Sequence, residues 1–196
     1  MVDADPQWAR WRRKEVMKPS EVLVHEHEII CLVLDAAERE ARKIKASGVV
    51  PVENVRSIMS FVREFADGSH HAKEEQHLFI QMQKCGMPAE QGPIAVMNHE
   101  HEMGRAYMRA LGDSLGQVEK GDASAAGTVA ESILGYVNLL RSHIYKENNI
   151  LFPMADNMFS PDDQAELSGA FDEVDTAAAA LRKKHIEFAH ALAAQA

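Results

Sequence analysis

Leu23, Val24, Ile30, Leu34 and Ala37 recur at helical spacing ahead of Ser47-Gly48, and predict a first helix from a cap at Ser20 to about Ala46. Val55, Met59, Val62 and Ala66 keep the same period in a second stretch, roughly 52–84, with Pro51 near its start. Gly86, Pro88, Gly92 and Pro93 then interrupt the chain. A third apolar stripe, Ile94, Met97, Met108 and Leu111, runs on to about Glu119. Beyond the Gly121-Asp122 turn a fourth helix is predicted over 123–152, with Pro153 expected to kink or end it. Ser160-Pro161-Asp162-Asp163 has the cap, first-position proline and early acids of one more helix, running through the Ala177–Ala180 stretch. The only competing strand signal, Gly48-Val49-Val50-Pro51, is too short. The predicted architecture is all-α: an up-down-up-down four-helix bundle over 20–156 and an additional C-terminal helix over 157–196 of the same domain. Residues 1–19, with Trp8, Trp11 and the basic knot Arg10, Arg12, Arg13 and Lys14, are expected to be an N-terminal capping segment.

The apolar stripes are broken by polar residues that repeat. His25-Glu26-His27-Glu28 returns as His99-Glu100-His101-Glu102, a shift of 74 residues. His70, Glu74 and Leu78-Phe79 return as His143, Glu147 and Leu151-Phe152, a shift of 73, with Lys73 and Lys146 in register. Residues four apart share a helix face, so His70 with Glu74 and His143 with Glu147 can each grip one centre. His71 with Glu75 is an alternative register in the second helix. The repeat argues against it, because Ile144 and Asn148 stand at the matching positions. His25 and His27 lie about 200° apart around a helix and cannot both face one core. His27 has Leu23, Val24, Ile30 and Leu34 around it, and His101 has Ile94, Met97, Gly104 and Met108. Those two are therefore taken as ligands, and His25 and His99 as surface or supporting groups.

The candidate metal ligands are thus His27, His70, Glu74, His101, His143 and Glu147. Imidazole and carboxylate together suit a pair of first-row ions, iron, manganese or zinc, ahead of calcium or magnesium. With both carboxylates bridging and a bridging oxygen, one position per ion stays open for a small ligand, whereas structural zinc would close its shell. His77, His185 and His190 fall outside the repeat and are read as solvated; Tyr107 and Tyr145 are read as packing residues.

Composition trims the list of functions. Among 196 residues, 26% are charged and the net charge is −9, which excludes a nucleic-acid partner reached through clustered Lys and Arg. No apolar run reaches the length of a membrane span. Cys31 and Cys85 form no Cys-x-x-Cys pattern and fit a reducing cytoplasm.

The Glu26-His27-Glu28-Ile29 motif, the two His-x-x-x-Glu elements ending in Leu-Phe, and Leu151-Phe152-Pro153-Met154-Ala155-Asp156 resemble the hemerythrin-like family of HHE cation-binding domains, over about residues 20–156. The resemblance implies a four-helix bundle around two iron ions, a non-haem di-iron centre with an oxo or hydroxo bridge. It departs from the oxygen carriers, because Arg105 stands where their third helix has a second His, and Glu147 replaces an Asp at a longer gap. The four-His, two-Glu set is similar to bacterial iron-cluster-repair proteins and iron or oxygen sensors. The expected function is binding or reaction with dioxygen, nitric oxide or peroxide in redox or iron homeostasis. The alternative is a regulatory or iron-donating module without turnover.

Overall fold

The computed structural model describes residues 17–195. The segment expected to cap the bundle lies almost wholly outside them. Six helical rods follow in order among the described residues: α1 Pro19–Ser47, α2 over 52–84, α3 Gly92–Glu119, α4 over 126–158, α5 Pro161–Ala177 and α6 Ala179–Ala193. The short turn Ala123–Ala125 leads into α4.

Cross-links between the rods give their directions. Arg56 meets Glu119 and Arg105 meets Asp67 at 2.8 Å, so α2 and α3 are antiparallel. Tyr107 packs over Gly135 while His101 meets His143, which makes α3 and α4 antiparallel. His27 lies against Asn148 and Glu38 against Arg141, so α1 and α4 are antiparallel as well. This is the up-down-up-down bundle, with α5 and α6 packed along its side.

The helix ends follow from local chemistry. Pro19 starts α1 one residue before the expected cap, because its fixed φ suits a first helical position. Glu21 then accepts the Lys18 backbone N–H at 2.8 Å. Ser20 does not cap; its hydroxyl donates to Asp156 at 2.7 Å. Gly48 closes α1 at φ 71, a left-handed conformation that side chains resist. Ser160 and Asp163 form the reciprocal capping box at the start of α5.

Two differences from the expected elements matter. Pro153 neither ends nor breaks α4: the helix widens to a π-turn at Glu147–Leu151 and continues as Phe152–Met158, with the proline in the first turn of that last piece, where its missing N–H costs little. The C-terminal extension is two helices, since the backbone breaks at Ala178 (φ −104, ψ 13). The alanine run offers no large side chain to bury, and the break lets both arms reach the bundle. Leu167, Phe171 and Asp175 are buried from α5, and Arg182, His185 and Ala189 from α6.

The core has two parts. One apolar cluster includes Ile30, Leu34, Phe61, Phe65, Val129 and Val137; the other includes Leu23, Leu78, Phe79, Met82, Ile94, Leu151, Phe152 and Phe171. Each such side chain, fully buried, stabilises the fold by about 1.5–3 kcal/mol. Between the two parts lies a layer of buried histidines and carboxylates.

Candidate metal centre

Each half of the repeat delivers its polar side chains through the same local device. The Phe79 N–H donates to the Glu74 carbonyl and the Phe152 N–H to the Glu147 carbonyl, the five-residue closure of a π-turn. Such turns inside α-helices are frequent at functional sites, where the wider turn re-aims side chains. The closing phenylalanines explain the Leu-Phe ending of each element: Phe152 stacks on His27 at 5.6 Å and Phe79 on His101 at 6.1 Å.

All six expected ligands come together in the bundle interior. His27, His70, His101 and His143 are 1–2% exposed, and Glu74 and Glu147 are fully buried. Each carboxylate faces two histidines with different oxygens. Glu74 Oε1 lies 3.6 Å from His70 Nε2 and Oε2 lies 3.5 Å from His101 Nε2. Glu147 Oε2 lies 3.1 Å from His27 Nε2 and Oε1 3.1 Å from His143 Nε2. Each carboxylate thus lies between histidines of two different helices.

A seventh residue joins them. His71 is 5% exposed, and its ring stacks on His101 at 3.9 Å. Two donor groups result: His27, His70, Glu74 and Glu147, and His71, Glu74, His101 and His143, the donor atoms of each lying within 4.8 Å of one another. One half of the register that the repeat disfavoured, His71, thus faces inward alongside His70. The π-helical stretch Val62–His71 presents His70 and His71 inward together. Glu75, the other half of that register, is turned to His101 instead. The available cue was Gly68, in mid-helix and without a glycine at the matching position. A Cβ there would lie 3.0 Å from the Arg63 carbonyl oxygen, a tight approach that glycine avoids.

The histidines are held from behind. His70 Nδ1 donates to Glu26 at 3.0 Å, and His143 Nδ1 to Glu100 at 3.0 Å. Each of these carboxylates also takes a lysine, Lys73 and Lys146. His27 Nδ1 donates to Asn148 at 2.7 Å and His101 Nδ1 to Glu75 at 2.6 Å. His71 Nδ1 faces Asp67 at 3.3 Å. With every Nδ1 engaged, each Nε2 is turned to the interior, those of His101 and His143 3.1 Å apart, the arrangement that fixes tautomer and ring orientation at metal sites. His25 and His99 stay at the surface, His25 beside Glu28 at 3.2 Å. His185 is not solvated as expected: it is 2% exposed, with Nε2 3.0 Å from Glu64.

The donor set fits a cation. The Nε2 atoms of His27, His70 and His71 and all four oxygens of Glu74 and Glu147 are buried without a hydrogen-bond partner. Burial, with Glu147 alongside, pushes the Glu74 carboxyl well above the usual carboxylate range. Burial and the neighbouring His27 push the His70 imidazole down to about 4, so it is neutral and can donate a lone pair. At His143 burial would act the same way, but Glu147 and Glu100 outweigh it and raise the imidazole to about 9. Two carboxylates in a dry interior repel each other, and divalent ions between them remove the conflict.

Residues 18–155 match the model of the hemerythrin HHE cation-binding domain. The chain belongs to that family. It is 20% identical over 153 residues to an uncharacterized protein of Mycobacterium tuberculosis, covering 78% of this chain and 59% of that protein, and the Mycobacterium bovis counterpart matches equally. It is 33% identical over 94 residues to the iron-sulfur cluster repair protein YtfE of Musicola paradisiaca, covering 45% of this chain and 41% of that protein. The chain therefore spans about three-fifths of the length of the mycobacterial relatives it matches. No solved structure is a significant match. No described helix of this metal-binding hemerythrin-like chain is long and apolar enough to cross a membrane.

Proposed function

We propose that the chain is a non-haem di-iron protein that binds or reacts with dioxygen, nitric oxide or peroxide. His27 and His70 would hold one iron and His71, His101 and His143 the other, with Glu74 and Glu147 bridging. The observation that carries this reading is the orientation of the carboxylates, each with one oxygen toward a histidine of either group. A mononuclear site has no use for that divergence. The two-histidine position is the poorer in donors and so the one with room for an exogenous ligand. An iron pair of this kind supplies redox equivalents and an open coordination position. The protein supplies imidazole and carboxylate donors, a fixed geometry and a dry surround.

The test is metal content and optical spectrum of protein purified from its native host. Two irons per chain and near-ultraviolet ferric absorption, developing when the anaerobic ferrous form meets oxygen, are expected. Zinc alone at one ion per chain, or iron-loaded protein that stays inert and colourless, overturns the reading. The relation to a cluster repair protein supports a second use of the same centre, iron donation. Transfer of iron to an apo iron-sulfur protein, without consumption of oxygen or peroxide, would favour that use.

A further inference from the structure

Between α2, α3 and α4 the fold leaves a cavity of about 350 Å³ that reaches His71 and His101. Its wall is mostly apolar, with Met59, Val62, Met108 and Leu140 contributing. Tyr136 also lines it; the ring is 4% exposed and its hydroxyl is buried without a hydrogen-bond partner among the described residues. Opposite that ring α3 carries Gly104, where a Cβ would lie 3.4 Å from the Tyr136 ring edge.

Size and polarity together identify what fits. A diatomic occupies about the volume of a water, roughly 30 Å³, so this space is some tenfold too large for one. It falls at the lower end of small-molecule pockets, about 300–1,000 Å³. An apolar gas also gains nothing from a buried hydroxyl donor, whereas an oxygen acceptor would relieve that unmet bond. The charges nearest the cavity floor are already engaged: Arg105 with Asp67, Glu75 and Glu102, and Glu100 with His143 and Lys146. Arg63 and Arg109 also line the cavity, but both are exposed to solvent, so its buried part offers a charged ligand no uncommitted counter-charge. The flexible Met59 and Met108 side chains suit an apolar body of irregular shape.

We propose that this cavity binds a compact, uncharged, oxygenated hydrocarbon: a small alcohol, ketone or organic hydroperoxide. Its oxygen accepts the Tyr136 hydroxyl bond, and its apolar body rests on Met59, Val62, Met108 and Leu140. Bound there, it lies against His71 and His101. The proposal goes beyond the di-iron reading and does not depend on it, because the cavity is formed by protein alone.

The experiment uses the full chain, metal-free and iron-loaded, with 2-phenyl-2-propanol as probe and its deoxy analogue isopropylbenzene as control. Binding is followed by calorimetry and ligand-observed NMR. Saturable binding of one alcohol per chain is expected in both forms. Tyr136→Phe should weaken the alcohol about three- to tenfold, the worth of one hydrogen bond, and leave isopropylbenzene unchanged. Leu140→Trp, or Met108→Phe if the first variant folds poorly, should abolish binding of both probes with an unaltered far-ultraviolet circular dichroism spectrum. Absence of saturable binding in both forms overturns the proposal, as does equal weakening of both probes by Tyr136→Phe. A chain that binds the alcohol but no iron sinks the di-iron reading and leaves this one standing.

Discussion

Glu75 and Asn148 are the same position in the two halves of the repeat, and each accepts the Nδ1 hydrogen bond of a candidate ligand on a different helix. Glu75 takes that of His101 at 2.6 Å and Asn148 that of His27 at 2.7 Å. Glu74 and Glu147, one residue earlier in each case, face inward with both oxygens toward histidines. Adjacent residues in a widened helical turn thus serve the centre twice, one facing it and one bracing a histidine from the neighbouring helix. The difference in charge makes the halves unequal, since a carboxylate strengthens an imidazole as a donor more than an amide does.

Removing either brace should loosen one half of the centre. Asn148→Ala is expected to weaken binding of one ion by about 10–100-fold, the usual cost of deleting a ligand's hydrogen-bond partner. Asn148→Asp should instead tighten it, by making the half more like the one built on Glu75. Glu75→Gln should weaken the other ion, and it also removes a charge partner of Arg105, 2.8 Å away. Competition titrations against a calibrated chelator read all three. An Asn148→Ala protein with unchanged affinity for both ions would show that Asn148 has no such role.

His71→Ala separates a five-histidine centre from a four-histidine one. The expected result is loss of one ion, or a second ion held at least tenfold more weakly, while the first is retained. Two ions bound with unchanged affinity would remove His71 from the ligand set. The reason this residue escaped sequence reasoning is physical. The six other candidates obey the period of an ordinary α-helix and repeat at fixed offsets, so the bundle and its inward polar faces were legible from spacing alone. His71 faces inward because of a π-helical stretch, which has no strong residue code and is revealed only by Gly68 against the Arg63 carbonyl. Asp175 and Arg182 were illegible for a different reason: they lie more than a hundred residues from Ser69 and His70, and belong to no repeat.

Those two residues make the supporting network asymmetric. Lys73 is fully buried and meets Glu26 and, at 2.5 Å, Asp175; Arg182 adds a 2.7 Å contact to Glu26 and donates to Ser69 at 3.0 Å. In the other half Glu100 takes Lys146 and His143 but no arginine among the described residues, and the lysine side chain is 30% exposed. The C-terminal helices cover only one half. Arg182→Met should therefore cost about 3–5 kcal/mol, because it breaks a buried ion network and leaves charge behind. Lys146→Met should cost at most about 1 kcal/mol, as for a partly exposed pair. Urea unfolding of the metal-free protein measures both. Equal costs would mean that α5 and α6 do not share in holding Glu26.

Where α6 meets α2, stability should depend on pH through Glu64. Its carboxylate accepts from Arg63 at 2.6 Å and from Ser60 at 3.1 Å, and lies 3.0 Å from His185 Nε2. The hydrogen bonds from Arg63 and His185 hold it down to about 2, from an ordinary 4.5. A carboxylate depressed in the folded state binds fewer protons there than in the unfolded chain between those two values. Its contribution is therefore complete above about pH 4.5 and lost as pH falls toward 2. The Arg63 side chain is 75% exposed, so solvent screening keeps the contribution to about 1–2 kcal/mol. Urea unfolding of metal-free wild type and Glu64→Gln at pH 7 should differ by that amount. The difference should shrink steadily at pH 4.5 and below, because the wild-type carboxylate then loses its advantage over the neutral amide. A gap independent of pH would assign the effect to packing of His185 against Phe61, 5.6 Å between ring centres, and not to the carboxylate's charge.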